Sequence, residues 1–253
     1  MDLDLAGRVV LVTGGSRGIG EAAAVAFAAE GAHVALTYRS ERGRADAVVA
    51  KIVQQGGQAL ALGFDLERPE SIYEAVQTVL DRWDRLDSLV NNAVVYGSRP
   101  VWDPVSFEHI ADWNQEFRAN SEGPFVAIQA ALRPMRAQGW GRIVTISSEV
   151  AEDGVPGRSF YGAAKAALHG ITKTLYKELG PAGILINVVM PGPTLTERMS
   201  GQLPAEVKKK WEDASPIRRL LEPKEVVPTV VFLASGANVA VTGEIIRASG
   251  GRP

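Results

Sequence analysis

Val9-Val10-Leu11-Val12 is the first of a series of short apolar runs that return along the chain: Val34 to Thr37, Ala59 to Phe64, Ser88 to Val90, Arg142 to Ile146, Leu185 to Val189 and Glu244 to Arg247. Runs this short and rich in β-branched residues predict buried strands. Between them lie longer helical segments: Glu21 to Glu30 closed by Gly31, about Arg42 to Gln55, Pro69 to Trp83, and about Trp113 to Gln138. After Ile146, Ala164, Leu168, Ile171, Leu175 and Leu179 recur at helical spacing until Pro181 ends the pattern. Strand and helix in alternation predict an α/β fold: one doubly wound, largely parallel sheet of about seven strands, helices on both faces, and residues 1–253 as one domain. Such sheets bind ligands outside the carboxyl ends of their strands, where Thr13, Asp65, Asn91, Ser148 and Pro191 all fall.

Thr13-Gly14-Gly15-Ser16-Arg17-Gly18-Ile19-Gly20 lies between the first strand and the first helix. Glycines let a phosphate approach the backbone, and the free N–H groups and positive dipole of a helix start favour an anion. No Lys-Ser or Lys-Thr follows the last glycine, so this is not a P-loop; the βαβ timing suits a dinucleotide. Farther on, Tyr161 and Lys165 stand one helical turn apart and share a face. An adjacent ammonium favours phenolate and should lower a phenol pKa from its usual value near 10, making Tyr161 an acid–base group at neutral pH, while Ser148 is placed to hydrogen-bond a carbonyl oxygen.

Charge and composition narrow the field. At 46% hydrophobic and 22% charged residues with a net charge of -2, the chain has an ordinary soluble profile. Basic residues are scattered, and the one dense run, Lys208-Lys209-Lys210, reads as a solvated helix face, so no nucleic-acid partner is expected. With no cysteine there is no disulfide, thiolate nucleophile or thiolate metal site. The first residues lack a signal-peptide pattern and no stretch is apolar enough to span a membrane, which together predict a cytoplasmic protein. His33, His109 and His169 are isolated in different elements, and no metal is expected.

Taken together, these motifs resemble the short-chain dehydrogenase/reductase family over essentially the whole chain. Thr13-Gly14…Gly18-Ile19-Gly20, with Ser16 and Arg17, matches its cofactor loop, Asp65-Leu66 its adenine contact, Asn91-Asn92-Ala93 its fourth-strand motif, and Asn120, Ser148, Tyr161 and Lys165 its catalytic tetrad. Ser148 is preferred to Ser147 because the family places its serine thirteen residues before the tyrosine. Asn187 and Pro191-Gly192 match the motif after the sixth strand, with Thr194 and Thr196 near the nicotinamide amide. The resemblance implies a Rossmann-type fold and hydride transfer between a nicotinamide and a carbonyl carbon. Tyr161 would supply the proton, Lys165 lower its pKa and hold the nicotinamide ribose, Ser148 polarise the substrate oxygen, and Asn120 anchor a water linking Lys165 to solvent. One position departs from the family: Val94 stands where glycine is usual, and either a small backbone shift accommodates it or it narrows the pocket.

Where NAD-preferring relatives carry an acidic residue, this chain has Tyr38, followed by Arg39 and Ser40; with Arg17 this predicts NADPH/NADP+ over NADH. Substrate walls are expected in Val95 to Val105, Glu149 to Phe160 and Leu195 to Pro216, where Val95, Tyr96, Trp102, Val155, Phe160, Met199, Leu203 and Trp211 favour a carbonyl compound with apolar bulk. The resemblance is greatest to 3-oxoacyl-acyl-carrier-protein reductases, with polyketide or other secondary-metabolite ketoreductases, an NADP-dependent alcohol dehydrogenase and a non-catalytic dinucleotide-binding module as alternatives. An acidic acyl carrier would meet Arg133, Arg136, Lys173 and Lys177 on the two long helices. By the same resemblance the protein is expected to form a homotetramer or homodimer.

Overall fold

The computed structural model describes residues 1–96, 110–201 and 203–251. Seven strands, β1 (Val9–Val12), β2 (His33–Tyr38), β3 (Gln58–Gly63), β4 (Ser88–Asn91), β5 (Gly141–Ile146), β6 (Ile184–Pro191) and β7 (Ile245–Ala248), form one parallel sheet in the order β3-β2-β1-β4-β5-β6-β7. Around it lie α1 (Gly18–Ala29), α2 (Arg42–Gln54), α3 (Pro69–Trp83), α4 (Ile110–Gln138), α5 (Val150–Asp153), α6 (Ser159–Leu179), α7 (Glu197–Ser200), α8 (Ala205–Ala214) and α9 (Pro223–Leu233). The expected α/β doubly wound sheet is present.

Side-chain alternation along the strands builds two cores. Val10 and Val12 of β1 face α1, α2 and α9, meeting Phe27, Ile52 and Val230; Val9 and Leu11 face α3 and α4, meeting Ile72, Val79 and Ile128. β1 pairs with β2 on one side and β4 on the other, Leu11 opposite both Ala35 and Leu89, so strand order reverses at the β1–β4 seam. A crevice must open there at the carboxyl ends.

The apolar pattern did not reveal α9. Its first-turn Pro223 and its capping box, in which Glu222 and Glu225 each accept from the other's backbone N–H, are ordinary start signals, but the run Val226 to Leu233 is apolar on nearly every side because the helix is wedged between α1 and the sheet. In α8, Lys208, Lys209 and Lys210 are exposed, and Lys208 and Lys209 pair with Glu212 and Asp213. Trp102, His109 and the segment 97–105 lie outside the described residues. Among the described residues no helix is long and apolar enough to cross a membrane, and no group of His, Cys, Asp and Glu has metal-site geometry.

Candidate active site

The glycine loop is packed so tightly that side chains are excluded. A Cβ on Gly20 would lie 2.3 Å from the Gly14 carbonyl oxygen and 2.4 Å from Asn92 Nδ2, and one on Gly15 would lie 2.6 Å from Leu36 Cβ. Gly14 and Gly18 hold φ of +64 and +58, open to glycine at little cost. A clasp across the β1–β4 seam fixes the loop: Thr13 Oγ1 accepts from the N–H groups of Asn92 and Ala93 at 2.9 and 3.0 Å, while Asn92 Nδ2 donates to the carbonyls of Thr13 and Gly14 at 2.9 and 3.0 Å. Thr13 and Asn92 were read only as parts of motifs; an amide and a hydroxyl at adjacent strand ends were the signal of this clasp. Asn91 turns away from the loop, its Nδ2 donating to the Pro124 carbonyl at 3.0 Å. Arg17, the N-cap of α1, makes no side-chain capping bond, so the helix start presents its N–H groups to the crevice beside Ser16, Gly18 and Ile19. A glycine cradle backed by a helix N-terminus fits a dinucleotide pyrophosphate.

Tyr38 ends β2, and Arg39 and Ser40 are exposed beyond it. Arg39 lies 3.6 Å from the Glu67 carboxylate; Arg17 is exposed on the loop. The Asp65 carboxylate closes its own turn by accepting from the Glu67 N–H at 3.0 Å, and Leu66 is buried under α4, where a Cβ on Gly123 would meet it at 2.8 Å. On the far side, β6 ends at Pro191. Gly192 is crowded by the Glu149 carboxylate and Ser249, at 2.8 and 2.9 Å from a built Cβ. Buried Thr194 donates to the Gly192 carbonyl at 2.9 Å, and Thr196 caps α7 while its methyl approaches Gly18, 3.2 Å from a built Cβ. An ion pair of 2.6 Å between Arg44 of α2 and Glu197 of α7 joins the two rims of the crevice.

Ser148 lies just beyond the end of β5, after Ser147, and Tyr161 and Lys165 stand on adjacent turns of α6. The Tyr161 phenol is within hydrogen-bonding influence of Ser148. Ser147 faces the other way, bonded to His169 Nε2 at 2.8 Å and donating to the Lys165 carbonyl at 3.3 Å. The Lys165 ammonium is buried and donates to the Ile146 carbonyl at 2.9 Å. Burial lowers its pKa to about 8.

For Tyr161 the geometry corrects the sequence expectation. Burial, foremost, and then the neighbouring Tyr96 push its pKa well above the ordinary value near 10. Lys165 spends its charge on the strand-end carbonyl instead of on the phenol, whose ring centroid is 5.7 Å away. Spacing along a helix gave proximity but not the burial that decides the sign.

Asn120 is fully buried and its side chain is committed: Oδ1 accepts from the Val95 N–H at 2.9 Å, and Nδ2 donates to the carbonyls of Val95 and Glu116 at 2.6 and 2.8 Å. The carbonyl of Asn120 faces Pro124, four residues on, which has no N–H to give it. Any water held at Asn120 therefore belongs to its main-chain oxygen rather than its amide. Val94 is absent from the residues with positive φ, so its backbone carries no left-handed strain. Among the expected wall residues, Val95 is buried against Asn120, Tyr96 stacks on Tyr161 at 5.8 Å between centroids, and Phe160 meets Trp113 edge-on at 5.2 Å. Val155 is exposed, while Met199, Leu203 and Trp211 are half-buried.

A glycine cradle at the strand-order reversal, with a serine, tyrosine and lysine across it at the carboxyl ends, defines a nicotinamide-dependent oxidoreductase: the chain belongs to the short-chain dehydrogenase/reductase family and acts on CH–OH or C=O groups. The family described as Enoyl-(Acyl carrier protein) reductase matches residues 14–252. The chain is 39% identical to the 3-oxoacyl-[acyl-carrier-protein] reductase FabG of Aquifex aeolicus over 252 residues, 99% of each chain. Among solved structures it is similar to a dehydrogenase/reductase from Sinorhizobium meliloti, with TM-score 0.89, 38% identity and coverage of 99% and 96% of the two chains. It is also similar to a 7α-hydroxysteroid dehydrogenase complexed with NADH and 7-oxo glycochenodeoxycholic acid, with TM-score 0.91, 31% identity and coverage of 99% and 96%.

Proposed function

We propose that this protein is an NADPH-dependent ketoreductase whose substrate is a 3-oxoacyl thioester. The observation that carries this reading is the grouping of Ser148, Tyr161 and Lys165 beside the glycine cradle. When bound, the nicotinamide supplies the hydride that adds to the keto carbon. Ser148 donates a hydrogen bond to the keto oxygen and steadies the charge that develops there. Tyr161, kept protonated by burial, donates its phenolic proton to that oxygen, and the Lys165 ammonium is the nearby proton source that restores it. In this reading the main-chain carbonyl of Asn120 connects Lys165 to solvent.

Support for NADPH comes from Arg17 and Arg39 at the adenosine end and from the lack of a carboxylate at Tyr38, since a 2′-phosphate needs cations. The thioester is supported by the 3-oxoacyl-[acyl-carrier-protein] reductases of Aquifex aeolicus and Synechocystis among the relatives. Docking of an acidic carrier is supported by the exposure of Arg133, Arg136, Lys173 and Lys177. We read residues 1–253 as one cytoplasmic domain that assembles as a homotetramer or homodimer.

Absorbance at 340 nm with purified protein tests the reading, comparing NADPH with NADH on acetoacetyl thioester and on bulky aromatic ketones. Rapid thioester reduction with NADPH is expected. Turnover confined to bulky ketones would place the enzyme among specialised ketoreductases, a reading that the Trp113–Phe117–Phe160 aromatic cluster favours.

A further inference from the structure

Beyond the expected tetrad, the reacting end of the crevice holds a second phenol. Tyr96 leaves the end of β4, and its ring lies over that of Tyr161 with centroids 5.8 Å apart and planes 26° from parallel. The two hydroxyls are within hydrogen-bonding influence of one another, and Ser148 acts on Tyr161 from the end of β5. Hydroxyl side chains from three elements thus act on one another around Tyr161. The outer face of Tyr96 is covered by Arg198 of α7, whose guanidinium carbon sits 4.1 Å from the ring centroid. That cation–π contact holds the ring flat against its neighbour. Arg158 adds positive potential to both phenols.

A second phenol stacked on Tyr161 is more than reduction of an isolated ketone requires. One carbonyl oxygen uses Ser148 and Tyr161, which leaves the Tyr96 hydroxyl, on the ring stacked against Tyr161, to serve a second acceptor on the same ligand. A 1,3-dicarbonyl compound, whose second oxygen sits on a carbon two bonds removed from the first, offers such an acceptor. The guanidinium of Arg198 against its ring offsets part of the effect of burial on the Tyr96 phenol and favours donation to such an acceptor. A monoketone would leave this half-buried phenol without the substrate oxygen it is placed to meet, which costs binding.

We propose that Tyr96 is a substrate-binding, specificity-determining residue that donates a hydrogen bond to the second carbonyl of a 1,3-dicarbonyl substrate, with Arg198 as its positioning residue. This deepens the ketoreductase reading and rests on it. The second carbonyl is the thioester of a 3-oxoacyl chain or the neighbouring keto group of a 1,3-diketone.

The test compares acetylacetone with methyl propyl ketone, two five-carbon ligands that differ in the second carbonyl, in the wild type, Tyr96→Phe and Arg198→Gln. Two quantities are read: Kd by ligand-observed NMR in the presence of NADP+, and kcat/KM for reduction with NADPH. Tyr96→Phe keeps the ring and its stacking, so folding is preserved. The expected result is a preference of about tenfold for acetylacetone over the monoketone in the wild type, erased in Tyr96→Phe and partly lost in Arg198→Gln, read as the ratio of the two ligands so that any shared effect through Tyr161 cancels. Equal effects on both ligands, no effect of Tyr96→Phe, or no preference in the wild type would overturn the proposal. If neither compound is turned over, the ketoreductase reading fails on that result, and the Kd ratio still decides the role of Tyr96.

Discussion

At the scale of single residues the chemistry turns on burial as much as on identity. Lys165 loses its proton at about pH 8 because its ammonium is desolvated, whereas Tyr161 remains protonated throughout the physiological range. We therefore expect kcat/KM for carbonyl reduction, which reports groups of the free enzyme, to fall as pH rises through about 8. Tyr161→Phe should cost about 10²–10⁴-fold in kcat, and Lys165→Met should remove the limb near 8 along with most of the activity. A pH–rate series on the three proteins checks this. Val94 gives a second prediction. With no positive φ to relieve, Val94→Gly should leave the constants for NADPH and substrate unchanged while lowering stability by roughly 0.5–1 kcal/mol through added freedom of the unfolded chain. Steady-state kinetics and a urea titration read both; a marked fall in KM for large ketones would instead assign Val94 to narrowing the pocket.

Between elements, α6 is joined to β5 by a bond the site does not use. His169 of α6 meets Ser147 at 2.8 Å, and burial, foremost, holds the imidazole pKa below its ordinary 6.5. Because the folded value is the lower one, stability is full above pH 6.5, where the imidazole is neutral in both states, and declines as pH falls through the folded value. Urea midpoints at pH 7.5 and 5.5 should show this loss in the wild type and a smaller one in His169→Gln. The same seam shows why Ser147 and Ser148, adjacent in sequence, differ so completely: successive residues leaving a strand point to opposite faces, one toward α6 and the other into the crevice.

Across the whole molecule, the C-terminal strand is tied to the catalytic end. Arg247 of β7 reaches Glu149 and Asp153 at 2.7 Å and Glu152 at 2.8 Å, gathering the turn of α5 that begins just after Ser148. Arg247→Met should leave three crowded carboxylates, destabilise the fold by about 1–3 kcal/mol and lower kcat more than it changes KM, measured by chemical denaturation and kinetics. The doubly wound parallel sheet, the helices on both its faces and a site at the carboxyl ends of its strands were readable from the chain because buried parallel strands, glycine turns and helical spacing are local patterns with few physical solutions. Gly14, Gly18, Gly20, Tyr161 and Lys165 were readable for the same reason: their geometry is set within one turn or one helix. Tertiary structure alone decided what faces each group. It placed Tyr96 on Tyr161, bound the Asn120 amide to Val95, turned Asn91 away from the glycine loop and set the direction of the Tyr161 pKa. Those outcomes depend on desolvation and on contacts between residues far apart in sequence, and neither is written in local spacing.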